Sequence, residues 1–173
     1  MKIVKKNVIY EGNWTKIFKS KWKNNDEEGN WEYIGRKNDQ KGVIVVPRLK
    51  KNNKIYYILI KQFRIPLEDY VIEFPAGLVD NNESIKECAL RELKEETGAE
   101  GRVYNITPPL TTSSGITNEK IHYAFVDVNC INESDPDSSE SIEVLKIEKN
   151  EIDKFIHDSK SLIDCKVWLF FAK

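Results

Sequence analysis

Hydrophobic and polar positions alternate along the first third of the chain. KIVKKNVIY (2–10), WTKIFKSKW (14–22) and WEYIGR (31–36) read as short strands, with the polar turn NNDEEGN (24–30) before the last. The spacing predicts a small antiparallel meander before residue 40. GVIVVP (42–47) and KIYYILIKQF (54–63) are alternating or continuously apolar, which suits strands of a buried or half-buried sheet. IHYAFVDV (121–128) and SIEVLKI (141–147) are two more, separated by NCINESDPDSSE, whose Asn, Asp, Ser and Pro content is turn chemistry.

Between these strands the period changes. Ile85, Ala89 and Leu93, with Leu90 on the adjoining stripe, lie at helical spacing, which predicts a helix over about 83–97 that Gly98 ends as a left-handed cap. Two further helical patterns close the chain. EIDKFIHD begins near Asn150, and SLIDCKVWLFFAK sets Leu162, Lys166 and Leu169 at helical spacings with an aromatic end that docks on the sheet. Strands gathered around one central helix argue for a mixed sheet sandwiched by helices. The division expected is a small β subdomain over 1–38 and a main domain over 39–173.

Composition narrows the partners. A chain of 173 residues fits one domain with a small appendage and can bury a sizeable core. Its 27 Lys plus Arg stand against 28 Asp plus Glu, a net charge of -1, which gives no electrostatic case for nucleic acid or a membrane surface. Its N-terminus carries charge among its apolar residues and no run approaches the roughly 18 apolar residues of a membrane helix, so a soluble cytoplasmic protein is expected. Cys88, Cys130 and Cys165 are odd in number, widely spaced and without a CxxC pair or neighbouring His. They are read as buried thiols, not as a disulfide framework or zinc site. His122, in an apolar strand, reads as a structural histidine, and His157 sits in a late helix with no partner pattern.

The candidate chemistry lies on the central helix. Glu83, Glu87, Glu92, Glu95 and Glu96 fall within fourteen residues. Glu92, Glu95 and Glu96 sit three and four apart, so their carboxylates can share one side of the helix. Such a cluster suits a hard divalent cation, which takes one or two carboxylates with waters and substrate phosphates. With Lys86, Arg91 and Lys94 interleaved, a solvated helix face serves the helix equally well.

The wider pattern separates these readings. Gly77, five residues, Glu83, seven residues and then Arg91-Glu92-Leu93-x-Glu95-Glu96-x-Gly98-Ala99 resembles the Nudix box of the Nudix hydrolases at every specified position. Seven fixed positions at average residue frequencies coincide by chance about once in 10⁸ starts. QFR (62–64) and EFPAG (73–77), running into the box, resemble the ADP-ribose pyrophosphatase branch, and the likeness extends over nearly the whole chain.

The resemblance implies a Nudix α/β/α sandwich with a mixed sheet, preceded by a small antiparallel β subdomain, in a homodimer. It implies Mg²⁺, or Mn²⁺, on Glu92, Glu95, Glu96 and the Ala76 carbonyl, with Arg91 orienting the carboxylates. Glu83 would brace the loop or act as an outer ligand. The substrate implied is a small nucleoside diphosphate sugar, ADP-ribose, cleaved to AMP and ribose 5-phosphate. Arg64 would hold the diphosphate, since a guanidinium fork donates two hydrogen bonds at once. Glu73 and Leu78 would line the same approach, with Pro75 and Gly77 as turn residues aiming the carbonyl.

Trp14 and Trp31, with Glu32 and Arg36, resemble the residues that clasp the adenine end, where stacking is worth roughly 1–3 kcal/mol per base. Trp22 and Trp168 are assigned to core or interface packing. The general base of the branch precedes a late strand, which aligns Glu140, with Glu133, Asp135 and Asp137 as understudies. One departure bears on the substrate: Ser114-Gly115 stands where ADP-ribose enzymes carry Pro-Gly, so Gly115 is kept and the proline is not. The lack of an SQPWPFP signature speaks against NADH. Another nucleoside diphosphate sugar or an oxidised nucleotide is the alternative within the class, and a non-catalytic nucleotide sensor the alternative outside it.

Overall fold

The computed structural model describes residues 1–134 and 141–172. In chain order the strands and helices are β1 (Lys2–Glu11), β2 (Thr15–Asn24), β3 (Glu27–Arg36), β4 (Gly42–Lys51), β5 (Lys54–Arg64), β6 (Asp69–Glu73), β7 (Ala76–Leu78), α1 (Ile85–Thr97), β8 (Ala99–Ile106), β9 (Leu110–Thr111), β10 (Lys120–Ile131), β11 (Ile142–Glu148), α2 (Ile152–Asp158), β12 (Leu162–Ile163) and α3 (Cys165–Phe171). The chain divides into two units: residues 1–42 with 108–121, and residues 43–107 with 122–173.

The first unit is the expected meander, a three-stranded antiparallel sheet in the order β1-β2-β3. The turn between β2 and β3 is tighter than NNDEEGN suggested. Asn25 takes a left-handed backbone, φ 54°, so the hairpin closes at once and Glu27 to Asn30 pair in the strand. The segment 113–118 lies along β3, with Ile34 donating to the Ile116 carbonyl at 2.8 Å and Asn118 to the Ile34 carbonyl at 3.2 Å. Strand β1 is exposed along its whole length, including Ile3, Val4, Val8, Ile9 and Tyr10.

In the second unit the strand order is β12-β6-β5-β4-β10-β8, with β11 on β5 and β7 on β4. The β8–β10, β5–β11, β4–β5 and β5–β6 pairs are antiparallel, and β12 joins β6 in parallel, so the sheet is mixed as expected. One face carries Val43, Val45, Ile58, Ala124, Val126 and Val128 and packs on Cys88, Ala89 and Leu93 of α1. The other holds an aromatic cluster: Phe170 lies 5.4 Å from Phe74 and 6.1 Å from Phe125, and Phe171 4.9 Å from Tyr57. Helices cover both faces.

Helix α1 starts at a capping box, in which the Ser84 hydroxyl accepts from Glu87 N–H at 3.2 Å and Glu87 accepts from Ser84 N–H at 2.8 Å. Such a cap contributes about 1 kcal/mol. Gly98, at φ 67°, ends the helix as read, its N–H bonded to the Lys94 carbonyl.

Several expectations are corrected. Leu162 lies in β12 and not on a helix, because Asp164 caps the final helix and accepts from Lys166 N–H at 2.7 Å, so helical backbone begins only at Cys165. Cys88 is buried, but Cys130 and Cys165 are exposed, Cys130 near the end of β10 and Cys165 on the first turn of α3. Trp168 is 44% exposed and meets His157 edge-on at 5.0 Å, which gives that histidine a partner. His122 is half satisfied: Nδ1 bonds the Thr107 carbonyl at 2.8 Å, while Nε2 is buried with no hydrogen-bond partner among the described residues.

Candidate active site

The chain from Glu73 to Thr97 folds strand, turn, helix, and this local order brings the acidic residues to one place. Pro75 gives its carbonyl to Val45 N–H at 2.8 Å, which fixes β7 against the core strand β4. At Ala76 the backbone N–H donates to Glu96 Oε2 at 3.0 Å, tying β7 to the last turn of α1. Glu96 is only 3% exposed. A carboxylate at that depth needs charge-assisted partners, and the Ala76 N–H is one.

Arg91 is the hub. Its Nε donates to Glu83 Oε1 at 2.9 Å and Nη2 to Glu83 Oε2 at 3.1 Å, a two-pronged pair. From Nη1 it reaches Glu92 Oε1 at 2.8 Å and Glu95 Oε2 at 3.1 Å, and from Nη2 the Leu78 carbonyl at 3.2 Å. One cation therefore gathers three carboxylates that would otherwise repel. The pair with Glu83 raises the Arg91 pKa above its ordinary value. Glu83 also receives Asp80 N–H at 3.1 Å, closing a turn in which Asn82 is left-handed.

Gly77 has a reason the sequence did not disclose. Its backbone is ordinary strand, not a left-handed turn, but a Cβ there would lie 1.8 Å from Glu92 Oε1 and 1.9 Å from its carboxyl carbon. Glu92 lies flat against β7, and only hydrogen fits beneath it.

Among the described residues no three His, Cys, Asp or Glu side chains are drawn together as a finished cation cage. Glu92 and Glu95 hold Arg91, while Glu96 turns inward to Ala76. The donor set nevertheless fits a hard divalent ion. It is all oxygen, it sits on one helix and the adjoining β7 backbone, and the space over Gly77 is kept clear for a Glu92 carboxylate. Glu92, Glu95, Glu96 and the Ala76 carbonyl are the groups that would hold it.

The other sequence candidates fall into place as follows. Arg64 Nε donates to Glu73 Oε1 at 2.7 Å, and Glu73 is 6% exposed, so these two residues, the last of β5 and of β6, form an ion pair. Leu78 faces the site through its carbonyl. In the first unit, Trp14 and Trp31 are 79% and 56% exposed, and the Trp31 indole N–H donates to the Gly115 carbonyl at 2.9 Å. Arg36 is held by Glu119, Nε and Nη2 meeting one oxygen at 3.0 and 2.9 Å, and Glu32 pairs with Lys19 at 3.1 Å. Glu119 escaped the sequence reading, since its partner lies far along the chain. Glu140, Asp135 and Asp137 lie outside the described residues, and Glu133 is exposed.

The Glu83–Arg91 pair has a pH signature. Hydrogen bonding to Arg91 holds the Glu83 carboxyl at about 2, below its ordinary 4.5. A depressed folded-state pKa gives stability that is complete above the ordinary value and is lost as pH falls through the folded one. Glu83→Gln is therefore expected to lower the melting temperature at pH 7, with the gap to the native protein closing between pH 4.5 and about 2. A gap that stays constant with pH would remove the ion pair as its cause.

The helix capped by Gly98, its arginine hub and the glycine under one acid thus gather an all-oxygen donor set suited to a divalent cation. The NUDIX domain pattern matches residues 38–164, and the chain belongs to the Nudix hydrolase family, whose members use a divalent cation. It is 30% identical to the mouse ADP-sugar pyrophosphatase over 185 residues, covering 97% of this chain and 84% of that protein. It is 32% identical to the Bacillus subtilis ADP-ribose pyrophosphatase over 127 residues, 72% of this chain and 67% of that one. Its fold resembles a solved ADP compounds hydrolase with a TM-score of 0.73 at 20% identity, over 91% of this chain and 83% of that one. No helix among the described residues is long and apolar enough to cross a membrane.

Proposed function

We propose that this chain hydrolyses the diphosphate of ADP-ribose and related ADP-sugars, giving AMP and ribose 5-phosphate from ADP-ribose, with Mg²⁺ or Mn²⁺. The observation that carries this reading is the complete acidic helix, Glu92, Glu95 and Glu96 with Arg91 at its hub, in a chain similar over almost its full length to an ADP-sugar pyrophosphatase. A nucleotide sensor without turnover would have no need of every box carboxylate.

A divalent cation supplies charge to the diphosphate oxygens and lowers the pKa of water. This chain's residues do the rest. Glu92, Glu95, Glu96 and the Ala76 carbonyl would hold the cation, and Arg91 keeps Glu92 and Glu95 in place until then. Arg64, paired through Nε with Glu73 at the end of its strand, would hold the diphosphate. Water adds across the P–O–P linkage: its oxygen bonds one phosphorus, and the bridging oxygen leaves with the other. Glu140 is our candidate to take the water proton.

Trp14, Trp31, Glu32 and Arg36 would read the nucleoside, the two tryptophans by stacking, in a homodimer. The exposed apolar run of β1 supports a second copy, and a monomer by light scattering would remove any clasp shared between subunits. Ser114, in place of the family's proline, favours one further reading, that the preferred substrate carries a different second sugar.

Phosphate release is the test, coupled to a phosphatase, from ADP-ribose, ADP-glucose, GDP-mannose, NADH and 8-oxo-dGDP with Mg²⁺. ADP-ribose is expected to dominate, with Glu140→Gln slow in kcat at similar KM. Dominance of another compound refutes the substrate, and full kcat in Glu140→Gln refutes the base.

A further inference from the structure

Beneath the acidic stripe lies a residue that the box leaves unspecified. Cys88 is one helical turn before Glu92 and is 0% exposed. Its thiol donates to the Leu78 carbonyl at 3.4 Å, and Arg91 Nη2 approaches the sulfur at 3.6 Å. Leu78 O is also the acceptor for Arg91 Nη2 at 3.2 Å. The thiol, the guanidinium and the carbonyl thus form a closed triangle between α1 and the end of β7.

Strand β7 is three residues long and is tied to α1 at both ends: Ala76 N–H to Glu96 at one, Leu78 O to Cys88 and Arg91 at the other. Gly77, between these ties, lies under the Glu92 carboxylate. Pairing with β4 sets one side of this short strand, and these ties set its distance from the helix. We propose that Cys88 is a positioning residue for the acidic site, its thiol fixing the Leu78 carbonyl and the Arg91 fork so that β7 and α1 hold one spacing. The inference rests on the cation-dependent hydrolase reading above.

Burial and the Glu83 and Glu92 carboxylates push the Cys88 thiol up to about 12. At neutral pH it is S–H, a donor and packing atom and not a nucleophile. Groups that orient metal-binding residues without touching the metal commonly change affinity by about 10- to 100-fold when removed.

The test titrates Mg²⁺ into native protein, Cys88→Ser and Cys88→Ala, read by the Mg²⁺-induced rise in melting temperature without substrate, and by rate with ADP-ribose. Cys88→Ala, which lacks the donor, is expected to need about tenfold more Mg²⁺ in both readouts, with KM for ADP-ribose moving less than about twofold. Cys88→Ser, which keeps a donor, is expected to stay near the native midpoint. If Cys88→Ala titrates like the native protein, or if Cys88→Ser loses as much as Cys88→Ala, the positioning role is overturned, the second result marking simple packing. Should Cys88→Ala not fold, Cys88→Val, of similar bulk and without a donor, makes the same comparison with Cys88→Ser. If the native protein gains stability from Mg²⁺ yet leaves ADP-ribose intact, the substrate reading falls while the melting series still decides Cys88.

Discussion

Glu96→Gln is expected to lower kcat by about a hundred- to a thousandfold while leaving the fold intact. The amide has the size of the acid, and its carbonyl oxygen can still accept from Ala76 N–H, so the tie between β7 and the end of α1 survives. What disappears is a buried negative charge, the component that draws a divalent ion to the base of the site. Melting temperature without metal should hold or rise, because two adjacent carboxylates no longer repel at one turn. The stabilisation that Mg²⁺ gives the native protein should shrink with the activity. A variant that keeps a tenth or more of native kcat would show that Glu96 is not a ligand in the working state.

Gly77→Ala should be nearly as damaging by a different route. The added methyl would fall 1.8 Å from Glu92 Oε1, far inside contact distance, so one of them must move. The obstacle is the end of a flexible side chain, and the backbone of Gly77 is not left-handed, so the cheap response is for Glu92 to swing away. That swing breaks its 2.8 Å bond to Arg91 and removes the carboxylate from its place over Gly77. We expect kcat/KM to fall about a hundredfold, with the melting temperature lower by only a few degrees. Unfolding instead of inactivation would mean that the strand, and not Glu92, yields to the methyl.

The acidic helix was legible because everything that specifies it is local. Apolar residues three and four apart, Gly98 at the end and the spacing from Gly77 to Glu96 are read along one stretch of chain. Its start is less sharply set by the apolar spacing: the helix begins at Ile85, two residues inside the span 83–97, where the Ser84–Glu87 capping box fixes the first turn. The strands β6 and β7 were not read, being five and three residues long with Pro75 between them. Strand β8 carries Gly101 and charged residues, and its pairing with β10, far along the chain, holds it extended. Leu162 illustrates the same limit: helical spacing pointed one way, and a parallel partner at Val71 decided otherwise. Within the site, the residues of the pattern could be named from sequence, but not the reasons for Gly77 or Cys88, which exist only as distances across the β7–α1 junction.

That junction also bears on motion. Val45 N–H, given to Pro75, comes from a fully buried strand residue, and Ala76 N–H is given to a carboxylate that is itself buried. Neither amide can exchange with solvent deuterium through a small local fluctuation, since each opening would expose part of the core. The three-residue strand β7 therefore opens with the core strand to which it is tied. Its amides should exchange on the timescale of global unfolding and not on that of a surface loop.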